Sequence, residues 1–215
     1  DEFGTLAVVS SGNDRVLRLD LEGRLLQTIT HPELDSPTGI TRSPAGEWFV
    51  GNFFPGRVLV FDAAWNHLRT ITEPGMNGVN CVAFDPGGGY AVSAAFSHEI
   101  YRFDAAGNLL GTTAHPSMLS PMSIALDSSG DRYVSGGGSG RVTKFDAGWN
   151  YLTDFGAAGL GPPQGVVIDE HDAPWVSDFS SPQLRPFDPA GNPPGRWAPT
   201  APSPVRTLAS QPPPF

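Results

Sequence analysis

The sequence predicts an all-β fold built from five copies of one four-stranded antiparallel sheet, and two observations predict it. An apolar residue followed by aspartate recurs as Leu19-Asp20, Phe61-Asp62, Phe103-Asp104, Phe145-Asp146 and Phe187-Asp188, so the aspartates stand at 20, 62, 104, 146 and 188. Every interval is 42 residues. Between these marks lie short apolar runs punctuated in register by Gly, Pro, Asp and Asn. A period of about 40–45 residues is that of one propeller blade, a sheet that cannot bury both faces until neighbours stack against it. We therefore expect a five-bladed β-propeller, residues 1–215 forming a single domain.

Each strand can be placed by stacking the chain on its period. The first strand starts at Pro37, Val79, Pro121, Pro163 and Val205. Two residues on comes a small residue (Gly39, Cys81, Ser123, Gly165, Thr207), then the apolar column Ile40, Val82, Ile124, Val166 and Leu208. Apolar positions two apart share one face of a strand. A turn follows, as in Asp85-Pro86-Gly87-Gly88 and Asp127-Ser128-Ser129-Gly130, where Asp, Pro and Gly supply side-chain acceptors and backbone freedom. The second strand reads Trp48-Phe49-Val50, Tyr90-Ala91-Val92, Arg132-Tyr133-Val134 and Pro174-Trp175-Val176; the third ends in the Phe-Asp motif. A hairpin such as Ala106-Gly107-Asn108 leads to the fourth. The column Leu19, Phe61, Phe103, Phe145 and Phe187 is the expected filler between blades. Burial of each aromatic stabilises by about 1.5–3 kcal/mol.

The termini predict how the ring closes. Leu6 to Ser10 align with a second strand, and Val205 to Ser210 with a first strand. The first blade is expected to be shared between residues 5–30 and 204–214, with the C-terminal strand completing the sheet and removing an exposed edge. A piece of a six- or seven-bladed ring is the competing reading.

Composition bounds the function. The 13 basic and 22 acidic residues give a net charge of −9. This disfavours nucleic acid and anionic membrane, both of which need a positive surface. No apolar run approaches the roughly 20 residues that span a bilayer. The single cysteine, Cys81, provides no disulfide framework. The first residue is Asp1 rather than methionine, as in a processed or excised chain. A monomer is the expected state.

Several segments resemble NHL-type propeller repeats. Gly12-Asn13-Asp14-Arg15-Val16 is similar to their "N-x-R-[IV]" third strand. Pro37-Thr38-Gly39-Ile40 and Pro163-Gln164-Gly165-Val166 resemble their "P-x-G-[IV]" first strand, and Trp175-Val176-Ser177-Asp178 their "Y-V-x-D" second strand. The resemblance implies a propeller and admits binding modules, lyases and lactonases. Gluconolactonase-like members hold a divalent metal with a glutamate, an asparagine of the first strand and an aspartate of the second. The likeness carries the asparagine to Asn80 and the aspartate to Asp178, but the first-strand position reads Thr38, Asn80, Met122, Gln164 and Arg206, with no glutamate. Amidating-lyase-like members use histidines near the axis, and His31, His98 and His115 fall in loops without a matched spacing.

One rim should carry the chemistry. The first strand lines the channel, which places Thr38, Asn80, Met122, Gln164 and Arg206 near the axis. The loops from second to third strand add Asn52, Phe53, Phe54, Phe96, Asp178 and Phe179. Mixed polar groups flanked by aromatics suit a peptide, a glycan, a small polar ligand or a protein partner. Asp178 and Arg206 could form an ion pair across this rim. The five repeat aspartates are expected to cap turns rather than form a carboxylate ring. Gly136-Gly137-Gly138-Ser139-Gly140 lacks the lysine and strand-to-helix context of a phosphate loop and reads as a mobile loop. The leading expectation is a non-catalytic binding or scaffold propeller with no cofactor and no catalytic residue. A metal-assisted hydrolase or lyase using calcium or zinc through Asn80, Asp178, Asn52 and one of the rim histidines is the alternative. An engineered repeat protein without an evolved ligand is the third reading.

Overall fold

A computed structural model describes residues 4–156 and 160–193. Five antiparallel sheets follow one another along the chain. The first holds β1 (Thr5–Ser10), β2 (Arg15–Asp20) and β3 (Leu25–Thr30). The second holds β4 (Pro37–Arg42), β5 (Trp48–Asn52), β6 (Arg57–Phe61) and β7 (His67–Ile71). The third comprises β8 (Val79–Phe84), β9 (Tyr90–Ala94), β10 (Glu99–Phe103) and β11 (Leu109–Thr113). The fourth comprises β12 (Pro121–Leu126), β13 (Arg132–Gly136), β14 (Arg141–Phe145) and β15 (Tyr151–Phe155). The fifth shows β16 (Pro163–Ile168), β17 (Pro174–Asp178) and β18 (Ser181–Pro186). Apart from a 3-10 turn at Ser11–Asn13, the described elements are strands, so the all-β five-bladed propeller read from the period is the fold. The strand predicted to close the ring, Val205 to Ser210, lies outside the described residues, as does Arg206.

Burial follows the expected layering. Every residue of β5, β9 and β13 is buried, because these second strands are covered by blades on both sides. The outermost β7 and β11 are largely exposed. Among the described residues four apolar cores lie between consecutive blades. Val16 and Ile29 meet Trp48, Val50 and Phe61 between the first two. Phe49 and Val60 meet Tyr90, Val92 and Phe103 in the next. Ala91 and Ile100 meet Ile124 and Phe145 in the third, and Tyr133 and Phe155 meet Val176 and Phe187 in the fourth. The aromatic column does fill these junctions, while Leu19 is only half-buried.

The repeat aspartates are turn caps. Asp62 Oδ1 accepts the N–H groups of Ala64 and Asn66 at 2.9 and 2.8 Å, and Asp62 Oδ2 accepts Asn66 Nδ2 at 2.8 Å. Asp104, Asp146 and Asp188 do the same with Asn108, Asn150 and Asn192. Hydrogen bonds from the paired asparagine hold these three carboxyls, and that of Asp62, below the usual carboxylate range. Each hairpin ends on a left-handed residue, Gly23, Trp65, Gly107, Trp149 or Gly191, as a turn closed by a one-residue bulge requires. Two tryptophans therefore hold a conformation that costs a side-chain-bearing residue roughly 1–2 kcal/mol. Packing offsets it: Trp65 stacks on Trp48 at 4.9 Å, and Trp149 lies under the Arg132 guanidinium at 4.8 Å.

The frame also shows reciprocal exchange between repeats. In the second blade Glu33 pairs with Arg57 at 3.1 Å and accepts the Thr70 hydroxyl at 2.8 Å. Two repeats later the carboxylate and hydroxyl trade places, with Asp154 contacting Arg141 and accepting the Ser117 hydroxyl. One local requirement is met by two opposite residue pairs.

Candidate functional site

A backbone irregularity builds the site. In each complete first strand the pairing skips one residue: Pro37 faces Asn52 and Gly39 faces Gly51, and the same shift falls between Val79 and Cys81, Pro121 and Ser123, and Pro163 and Gly165. The skipped residues are Thr38, Asn80, Met122 and Gln164. A bulge leaves its extra residue unpaired and re-aims its side chain, and all four line one cavity of about 650 Å³. Ser11, Ser36, Phe53 and Phe54 border the same space, and Cys81 and Ser123 form part of its wall.

The bulge has a cost that serines meet. It takes the N–H of the next residue out of the ladder, and a buried unpaired donor is unfavourable. Ser93 Oγ accepts the Cys81 N–H at 2.9 Å, Ser135 Oγ that of Ser123 at 3.0 Å, and Ser177 Oγ that of Gly165 at 3.1 Å. The hydroxyls then reach across to the next blade. Ser93 donates to the Met122 carbonyl at 3.2 Å and Ser135 to the Gln164 carbonyl at 3.3 Å. The second blade has Gly51 at this position, and there Thr38 Oγ1 crosses to the Val79 carbonyl at 2.7 Å instead. Gly39 is required by the same crowding, since a Cβ there would lie 2.0 Å from the Asn80 carbonyl oxygen.

The lining is chemically neutral. Asn80 Nδ2 donates to the Gly78 carbonyl at 3.2 Å and lies 3.6 Å from Met122 Sδ. The Gln164 carboxamide makes no hydrogen bond among the described residues. Burial pushes the Cys81 thiol up, which keeps it protonated at neutral pH. Among the described lining residues there is no carboxylate, imidazole, ammonium or guanidinium. The arrangement can offer hydroxyl and amide hydrogen bonds, a thioether surface and two aromatic rings.

Other rim residues are placed differently from the expectation. Asn52 is fully buried and organises its own loop: Oδ1 accepts the Asp35 N–H at 2.7 Å, while Nδ2 donates to the carbonyls of Glu33 and Phe54, both at 2.8 Å. Asp178 occupies the equivalent place three blades on and behaves alike. Its Oδ1 accepts the Ser180 N–H at 2.8 Å and its Oδ2 lies 3.2 Å from Arg185 Nε. Neither residue lines the cavity, because the last position of a second strand faces the loop it leads into. Arg185 is the ion-pair partner of Asp178 among the described residues; the expected partner Arg206 lies outside them. Of the three non-histidine residues of the metal alternative only Asn80 lines the cavity, and no group of three or more His, Cys, Asp or Glu among the described residues is placed to hold a metal ion.

The aromatic residues divide. Phe53 packs edge-on against Phe54 at 4.9 Å and Phe96 at 4.8 Å, and Phe54 and Phe96 lie 6.0 Å apart. Phe54 and Phe96 remain 46% and 51% exposed. Phe179 stands apart from this trio, 83% exposed. The three loop histidines hold backbone N–H groups. His31 and His115 use Nδ1 to accept the N–H of Glu33 and Ser117, each at 3.2 Å, and His98 Nδ1 accepts that of Ser120 at 3.0 Å. The glycine-rich segment is tied to the preceding loop: Gly137 and Gly138 donate to the carbonyls of Ser120 and Leu119, both at 2.9 Å. A Cβ at Gly137 would press on Met122 Cγ at 3.1 Å, so this glycine keeps the channel wall open. Ser36, Ser11 and the serine relay escaped sequence reasoning; the Ser93, Ser135, Ser177 column at the period was the available signal.

Fold and cavity together define a five-bladed propeller with a neutral axial pocket. No protein-family profile and no curated protein matches the chain. Among solved structures it is similar to virginiamycin B lyase from Staphylococcus aureus, with a TM-score of 0.77, 15% identity, and coverage of 89% of this chain and 66% of that one. A catalytically inactive form of that lyase with quinupristin gives a TM-score of 0.77 at 14% identity over the same shares. A protein of unknown function from Bacteroides caccae gives 0.68 at 17% identity, over 89% and 76% of the two chains. This chain thus spans just under two thirds of the lyases' length. At such identity the likeness shows the propeller fold alone.

Proposed function

We propose that this propeller is a non-catalytic binding module whose axial cavity takes a small, uncharged, polar ligand. One observation carries the reading: the bulged residues Thr38, Asn80, Met122 and Gln164 converge on one cavity whose described lining has hydrogen-bonding groups but no ionisable group near neutrality. General acid–base work needs a group whose pKa lies near the operating pH, and a charged ligand needs a counter-charge to replace lost water. The volume falls in the range of ordinary ligand pockets. The lyase alternative finds its support in the fold of the neighbours rather than in these side chains.

Thermal unfolding against a panel of neutral, anionic and cationic small molecules tests this. A ligand at a hundred times its Kd stabilises by about 2.7 kcal/mol. For a chain of this size that raises Tm by roughly 5–11 °C. Met122→Trp fills the cavity and should abolish the rise while the circular dichroism of the sheets persists. Stabilisation that survives Met122→Trp, or chemical conversion of the bound molecule, would refute the proposal.

A further inference from the structure

We infer, resting on the reading that the axial cavity binds a ligand, that the ligand class is a neutral saccharide, its C–H face lying on the phenylalanine shelf and its hydroxyls meeting Gln164.

The fold does not ask for the aromatics. Phe54 and Phe96 occupy a repeat position where other blades carry Gly12, Gly138 and Ser180. Phe53 occupies one where others carry Ser11, Ala95, Gly137 and Phe179, so three of the five blades do without an aromatic there. The backbone there is held independently of the rings, Phe53 N–H donating to Ser36 and Phe96 N–H to Asn77, both at 3.1 Å. Gly78 yields the space under the Phe96 ring, since a Cβ would lie 3.1 Å from it. The loops of two adjacent blades thus present a preformed aromatic surface at the mouth of the cavity, with Phe53 edge-on behind two half-exposed rings.

Three chemistries can be compared for this place. A charged ligand meets no counter-charge in the described lining, and an anionic one is also opposed by the net charge of −9. A wholly apolar ligand would strip water from the free Gln164 carboxamide and return no hydrogen bond. A neutral sugar ring has one face of C–H groups for an aromatic plane and an edge of paired hydroxyls. A carboxamide offers both a donor and an acceptor to such an edge. Phe54 and Gln164 lie on the second and fifth blades and border the same cavity, so one molecule can reach both.

The test measures Tm of the full chain with lactose, maltose, methyl glucoside, mannose and diacetylchitobiose, beside glucuronate and a blocked neutral tripeptide. At least one neutral sugar should raise Tm, and glucuronate should not. Isothermal titration should then show about tenfold weaker binding for Phe54→Ala and for Gln164→Ala. Phe54→Trp, which keeps the stacking plane, should retain affinity, an outcome a merely structural phenylalanine would not produce. Phe54 is half exposed, so the unliganded Tm of Phe54→Ala should match the parent. If only the tripeptide binds, and binds within the cavity blocked by Met122→Trp, the sugar inference fails and the binding role stands. If a sugar binds equally well to Phe54→Ala, the shelf is overturned. If no probe binds, both readings fall.

Discussion

Replacing Ser93 by alanine isolates the device that lets the channel exist. Ser93 is completely buried, accepts the N–H that the bulge at Asn80 frees on Cys81, and donates to the Met122 carbonyl of the next blade. Alanine fits the space but leaves the Cys81 donor without its partner at a fully buried position. A buried unpaired group costs about 1–3 kcal/mol. At roughly 2–4 °C per kcal/mol for a chain of this size, Tm should fall by about 2–12 °C. Differential scanning calorimetry and urea unfolding measure this directly. Ser135→Ala should behave alike, because Ser135 has the same burial and the same two bonds. Exposed Ser129, whose hydroxyl takes no part in the relay, should tolerate alanine within about 0.5 kcal/mol. Losses for Ser93→Ala and Ser135→Ala no larger than that control would refute the relay as a support of the bulges.

Two further outcomes follow from the turns. Asp104 and Asp146 have folded pKa values below the ordinary carboxylate range, chiefly through Asn108 and Asn150. Their stabilisation is complete above the unfolded pKa of about 4 and is lost as pH falls through the lower folded value. A double Asp104→Asn, Asp146→Asn variant should therefore show a shallower fall in Tm below pH 4 than the parent, and equal acid slopes would contradict the capping role. Trp65→Gly removes a left-handed tryptophan but also its stack on Trp48. Lost burial and stacking outweigh the relieved strain, so denaturant titration should show a net loss of about 1–3 kcal/mol, and a gain in stability would mean the tryptophan is merely tolerated.

Much of this molecule is legible in its residues taken in order. The 42-residue interval marks the blades, the Phe-Asp pairs mark the third strands, and the asparagine four residues after Asp62, Asp104, Asp146 and Asp188 marks a capped hairpin. Those features are local: a turn needs its own acceptors, and an alternating strand shows its own buried face. Thr38, Asn80, Met122 and Gln164 could likewise be placed on the channel from their column. The direction of Asn52 was not legible, because it depends on the Asp35 N–H and the Glu33 carbonyl, which are distant in sequence, while Asp178 turns to its own loop at Ser180 and to Arg185.

Composition and period by themselves determined the sheet count, the strand order and which residues form the axial column. Only the tertiary structure decided that a bulge aims this column inward, that serines of the neighbouring strand satisfy the freed N–H groups, and that Phe53, Phe54 and Phe96 meet at the cavity mouth. The physical reason is that hydrogen-bond register and ring contact are relations between separate strands. A pattern read along one strand does not contain them.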